Sequence, residues 1–130
     1  MRLLLDTHIW LWRLLDPDRV LPSLDVLLRD PDTLLHLSPI SVWETLVLVR
    51  KGRLTLNPDP VAWIDKALQR TPTTMLPLTH AIAIRSEQLD GLASNDPADR
   101  FLVATALEHD LTLATADTVL IAYPGLPTAS

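Results

Sequence analysis

Leu3-Leu4-Leu5-Asp6-Thr7-His8-Ile9-Trp10, close to the start of a 130-residue sequence, decides the fold. Three consecutive leucines read as a short strand buried on both faces, which is the signature of a parallel sheet covered by helices. An acid and a hydroxyl follow at once, and Ile9, Trp10, Leu11, Trp12, Leu14 and Leu15 then continue as a largely apolar helix over residues 7–15. In open α/β sheets, ligands bind outside the carboxyl ends of the strands, which is where Asp6 falls. Taken alone, the stretch leaves two readings of Asp6 open. It holds a cation or polarises a water, or it caps the helix by accepting from orphan backbone N–H groups.

The strand-then-helix alternation repeats downstream. Asp16-Pro17-Asp18 ends the first helix, and residues 23–29 form a second with Leu24, Leu27 and Leu28 on one face. Residues 34–37 make a second strand after the turn Asp30-Pro31-Asp32. Ser38 caps a helix that has Pro39 at its first position and runs to about Lys51, where Gly52 stops it. A proline-containing loop over 54–60 leads into a helix over 61–69. The third strand is expected at 75–78, with Pro77 marking a sheet edge or strand end. Thr79 caps a helix over 80–89, a loop follows over 90–95, and Asp96-Pro97 opens the next helix. Residues 111–115 are the fourth strand and 118–123 a helical turn, while Pro124-Gly125-Leu126-Pro127 leaves little room for a fifth strand. The expectation is one α/β domain over 1–130 with a parallel central sheet and helices on both faces.

Composition narrows the chemistry. With 48% hydrophobic and 21% charged residues the chain is globular, and with no cysteine it has neither disulfides nor thiolate metal sites. Any metal must be held by oxygen or imidazole, and a carboxylate-rich site favours magnesium or manganese. No apolar run approaches a membrane span and the N-terminus does not read as a signal peptide, so the expected location is the cytoplasm. The net charge of −5 argues against a general nucleic-acid binder. Arg50, Lys51 and Arg53 are the one tight basic cluster, serving either a helix C-terminus or a contact. The four histidines lack paired metal spacing and read as structural or solvated. Trp10, Trp12, Trp43 and Trp63 read as core or interface.

Four acids stand out by position. Asp6 and Asp117 each lie just beyond an apolar strand with a hydroxyl-bearing residue close by, Thr7 directly after Asp6 and Thr115 two residues before Asp117. Glu44 shares a helix face with Ile40, Val47 and Leu48, so it needs a cation, a proton or a salt-bridge partner. Asp99 lies in a first helical turn, in line with Leu102, Val103 and Ala106. Converging anions raise one another's pKa values and weaken the fold, and divalent cations remove that cost while activating water for phosphoryl transfer.

The stretches LLLDTHIWLW, SPISVWE, DPADRFLVATA and LTLATAD, in this order between Leu3 and Tyr123, resemble the motifs of PIN-domain ribonucleases, and in particular VapC-type toxins of VapBC toxin–antitoxin pairs. The resemblance implies a three-layer α/β/α PIN-like domain with strand order 3-2-1-4-5. It implies magnesium or manganese held by Asp6, Asp99 and Asp117, with Glu44 completing the catalytic acids, and Thr7, Asp96, Arg100 and Thr115 supporting them. It also implies endonucleolytic cleavage of an RNA such as tRNA or rRNA to 5′-phosphate and 3′-hydroxyl ends. The partners it implies are a VapB-type antitoxin, a second copy in a homodimer, and a larger toxin–antitoxin assembly. Two departures stand out: Ser94-Asn95 replaces a histidine common in the family, and the tail GLPTAS is a poor last strand. A different metal-dependent phosphohydrolase and a non-catalytic PIN-like binding module are the competing readings.

Overall fold

The computed structural model describes residues 1–130. Strand β1 (Arg2–Leu5) leads through Asp6 into α1 (Thr7–Leu15); a 3-10 turn (Pro17–Arg19), α2 (Pro22–Arg29) and β2 (Leu34–Leu37) follow. Next come α3 (Pro39–Arg50), α4 (Pro60–Arg70), β3 (Thr73–Met75), α5 (His80–Ser86) and α6 (Pro97–Glu108). The chain ends with β4 (Thr112–Ala114), α7 (Thr118–Ile121) and β5 (Thr128–Ala129). All pairings are parallel and the order is β3-β2-β1-β4-β5, the 3-2-1-4-5 arrangement that the motifs imply.

The leucine run does what its reading requires. Side chains alternate across a strand, so Leu3 and Leu5 face one core with Ile9, Trp10, Leu24 and Leu28. Leu4 faces the other, with Leu102, Val103, Leu113 and Leu120. All three leucines are fully buried, each worth about 1.5–3 kcal/mol of transfer free energy. Helices α1, α2 and α4 thus cover one sheet face and α6 and α7 the other. Helix α3 reaches both layers, through Ile40 at its start and Leu48 near its end.

The fourth strand and α7 are each two residues shorter than expected, and three further differences concern the sheet edges and α5. The third strand pairs at 73–75, two residues earlier than 75–78, because Leu35, His36 and Leu37 offer partners to Thr73, Thr74 and Met75, and Pro77 has no N–H to extend the ladder. Helix α5 ends at Ser86, three residues short of Leu89, and the Arg100 guanidinium takes the Ser86 carbonyl. A fifth strand does form, of two residues: Leu113 and Thr115 donate to the carbonyls of Pro127 and Ala129, so Pro127, which has no N–H, takes part through its carbonyl. No helix is long and apolar enough to cross a membrane.

Candidate active site

The ladder between β1 and β4 builds the floor of the site. Leu5 is registered with Ala114, and the Asp6 N–H donates to the Ala114 carbonyl at 2.9 Å. Asp6 and Thr115 are therefore the next residues out along neighbouring strands. The Thr115 hydroxyl donates to Asp6 Oδ2 at 2.7 Å and accepts from the Asp117 N–H at 3.0 Å. One buried hydroxyl so fixes two acidic residues. Asp6 makes no side-chain capping bond to α1, which removes the capping reading.

Helix α3 delivers Glu44. Ser38 caps it, accepting from the Ile40 N–H at 3.1 Å, and the buried Thr7 hydroxyl donates to that of Ser41 at 2.9 Å, tying α1 to the same helix. Glu44 is half-buried and has no salt-bridge partner; the ion pairs of the chain are Arg29–Asp25 and Arg85–Glu108. Asp96 caps α6 through the Ala98 N–H at 2.8 Å, and half-buried Asp99, one turn in, accepts from the Ser94 hydroxyl at 2.7 Å. Asp117 caps α7 through the Val119 N–H at 2.9 Å.

Asp6, Glu44, Asp96, Asp99 and Asp117 all line one open cavity of about 420 Å³. As the side chains stand, no three of them are close enough together to chelate a single ion. Thr7 and Thr115 are fully buried behind the cavity. Arg100 does not line it: its Nε donates to the Ser86 carbonyl and its Nη1 to that of Ser94, which fastens the loop that carries Ser94.

Charge in this cavity is poorly compensated. Burial pushes the Asp6 carboxyl up, against the lowering effect of the Thr115 hydroxyl, His8 and the Thr7 backbone, and Asp117 adds to the rise. Burial likewise raises Glu44, with Asp6 and Asp96 adding and the Thr7 hydroxyl offsetting part. Asp99 is pushed up to about 6, mainly by burial, with Asp96, Asp6 and Asp117 adding and the Ser94 hydroxyl opposing. Oxygen donors around destabilised negative charge are the donor set that a hard divalent cation takes.

The sequence model of the PIN domain matches residues 3–126. The chain belongs to the PIN domain family. Among characterised PIN relatives, it is 29% identical over 114 residues to Ribonuclease VapC22 of Mycobacterium tuberculosis (strain ATCC 25618 / H37Rv), covering 88% of this chain and 85% of the relative. A chain of FitAcB from Neisseria gonorrhoeae is 29% identical with a TM-score of 0.67, covering 98% of this chain and 96% of the other. At 18% identity, VapBC2 from Rickettsia felis, bound to a DNA fragment from its promoter, supports the fold: TM-score 0.73 over 99% of this chain and 98% of its own. This PIN domain is homologous to the VapC ribonuclease toxins of VapBC toxin–antitoxin pairs.

Four contributors are not marked by the motifs. His8, which the sequence reads as structural or solvated, is exposed and lines the acidic cavity, and Trp12, half-buried against the core as its reading requires, lines it too. His8 directly follows the Asp6-Thr7 pair and Trp12 lies one helical turn beyond it, on the same face. Arg19 also lines the cavity, and its position in a proline-flanked turn carried no signal. Ser94, noted only as a departure from the family, supplies the hydroxyl that orients Asp99.

Proposed function

We propose that this chain is a divalent-metal-dependent endoribonuclease, a single PIN-like domain over 1–130 acting as the toxin of a type II toxin–antitoxin pair. The observation that carries the reading is the convergence of five carboxylates from four separate segments on one cavity at the carboxyl edge of the sheet. Its likeness to VapC ribonucleases gives the chemistry a substrate class, RNA, with structured RNA such as tRNA or rRNA as the expected target.

In this reading Asp6, Asp99 and Asp117 hold Mg2+ or Mn2+ and Glu44 completes the catalytic acids. A divalent cation bound there supplies Lewis-acid activation of water and offsets the charge that develops on the phosphodiester. The chain's part is orientation. Thr115 holds Asp6 and the Asp117 backbone, Ser94 holds Asp99, Thr7 braces the start of α3 through Ser41, and Arg100 fixes the Ser94 loop. Asp96 positions α6 as its cap and adds negative charge at the rim. The cognate partner is a VapB-type antitoxin that blocks the acidic cavity, within a homodimer and a larger toxin–antitoxin assembly, and the expected location is the cytoplasm.

The test is cleavage of total cellular RNA by purified, antitoxin-free protein with Mg2+, with Mn2+ and with EDTA, beside an Asp6→Ala/Asp99→Ala control. Discrete fragments that need the metal and vanish in the control are expected. RNA left intact by folded protein with both metals would overturn the proposal in favour of a binding module.

A further inference from the structure

The acidic cavity continues beyond its carboxylates. His8, Trp12 and Arg19 form another part of its wall, and the same three residues line a second cavity of about 420 Å³ together with Asp16, Leu48, Arg53 and Leu54. The two cavities make one groove. Arg19 closes the 3-10 turn, and its guanidinium carbon stands 4.4 Å from the centroid of the Trp12 ring. It shares a cavity with five carboxylates yet forms an ion pair with none of them. Stacking on an indole face positions a guanidinium without using its hydrogen-bonding fork, so Arg19 keeps that fork for an anion from outside the chain.

A polyanionic strand approaching this protein meets an overall charge of −5 and an acidic cavity. Binding such a strand requires cationic side chains beside the carboxylates, because phosphate neutralisation supplies most of its affinity. Across the two cavities those side chains are Arg19, which lines both, and Arg53, which lines the second, where Asp16 is the one carboxylate. We propose that Arg19, braced on Trp12, is a phosphate-binding subsite for the RNA strand beside the scissile bond, and that Arg53 holds a further phosphate of the same strand. This rests on the ribonuclease reading and adds to it a direction: the strand leaves the acidic cavity over Trp12 towards Arg53.

The test uses a labelled oligonucleotide that carries the cleavage site mapped in total RNA. Arg19→Gln should raise KM about tenfold with kcat within about twofold, and Arg19→Lys should recover most of that loss. The slope of log binding constant against log salt, read by fluorescence anisotropy, should fall by about 0.7 for Arg19→Gln and about twice that with Arg53→Gln added, one single-strand phosphate contact each. Arg19 is exposed, so unchanged thermal unfolding of Arg19→Gln is the expected folding control. An unchanged KM and salt slope, or a loss confined to kcat, would overturn the subsite. So would a variant that cuts RNA normally and fails only to bind antitoxin, which would make the groove a peptide surface. Cleavage by wild type with no effect of Arg19→Gln defeats the subsite alone. Wild type that binds RNA without cutting it defeats the nuclease reading and leaves the salt slope to decide the subsite, while wild type that does neither defeats both.

Discussion

Replacing Asp99 by asparagine asks whether the acidic cavity is maintained at the expense of the fold. The two side chains match in shape, and an amide oxygen can still accept from Ser94; the charge is what is lost. Burial and the neighbouring acids raise the Asp99 carboxyl from 3.8 to about 6, so at pH 7.5 the folded chain carries an ionised group that it would hold better protonated. For a fully shielded group that rise corresponds to about 3 kcal/mol, at ~1.4 kcal/mol per pH unit. Asp99 is half-exposed, and solvent screening reduces the expectation to about 1 kcal/mol. A carboxyl raised on folding contributes stability that is fully present below its unfolded value and lost as pH rises through its folded value. Ionised Asp99 therefore weakens the wild type above about pH 6 and has no such effect below about pH 4. With ~2 cal/mol/K of unfolding entropy per residue, Asp99→Asn in EDTA at pH 7.5 should melt about 4 °C above wild type. The gain should vanish near pH 4, and RNA cleavage in Mg2+ should be lost at any pH. Thermal unfolding by circular dichroism at the two pH values reads the first effect and a gel assay the second. A variant less stable than wild type at pH 7.5, or equally stabilised at both pH values, would refute the reasoning.

Other expectations follow from the same geometry. Half-maximal cleavage should need more Mg2+ at pH 5.5 than at pH 7.5, since Asp99, pushed up to about 6, must lose its proton before it can bind a cation; metal titrations at the two pH values check this. Thr115→Val removes the hydroxyl that serves both Asp6 and the Asp117 N–H, and should cost about 1–3 kcal/mol in urea unfolding while lowering cleavage. Ser38→Ala leaves the Ile40 N–H without its cap and should cost about 1 kcal/mol of stability, measured by the same unfolding, with the active cavity intact. Leu4→Ala in the central strand should cost about 2–5 kcal/mol, as a cavity opens between β1 and α6.

Much of this was legible in residue order because packing and capping leave local marks. Leu3-Leu4-Leu5 has to be buried on both faces, and Ser38-Pro39, Thr79 and Asp96-Pro97 announce helix starts that the structure keeps. Positions set by pairing partners were less legible. Residues 73–75 become a strand because β2 lies beside them, and Thr128–Ala129 because Leu113 and Thr115 have N–H groups to place. The acids were legible as separate candidates, and their meeting at one cavity follows from the sheet order. His8, Trp12 and Arg19 were not, because a residue at the surface of an apolar helix or in a turn, whether exposed like His8 and Arg19 or half-buried like Trp12, has no pattern that tells solvent from a groove.

The treatment of Asp6 gives the sharpest evidence that the cavity was built for something other than stability. Asp59, Asp96 and Asp117 each stand just before a helix, and each turns its carboxylate back to a backbone N–H of the first turn. Asp6 holds the same position before α1 and does not. Its backbone is drawn out by the bond to Ala114 as an extension of β1, and its carboxylate is taken by Thr115 from the neighbouring strand. The chain thereby forgoes a cap worth about 1 kcal/mol and also buries a carboxyl that burial drives upward. A residue type that caps well, placed where capping is available and held away from it by a buried hydroxyl, is a local rule broken at a site of function. The same hydroxyl fixes the Asp117 backbone. The fold thus gives up stability where Asp6 and the Asp117 backbone are tied to one hydroxyl at the sheet edge, as the proposed metal-assisted phosphodiester hydrolysis would need.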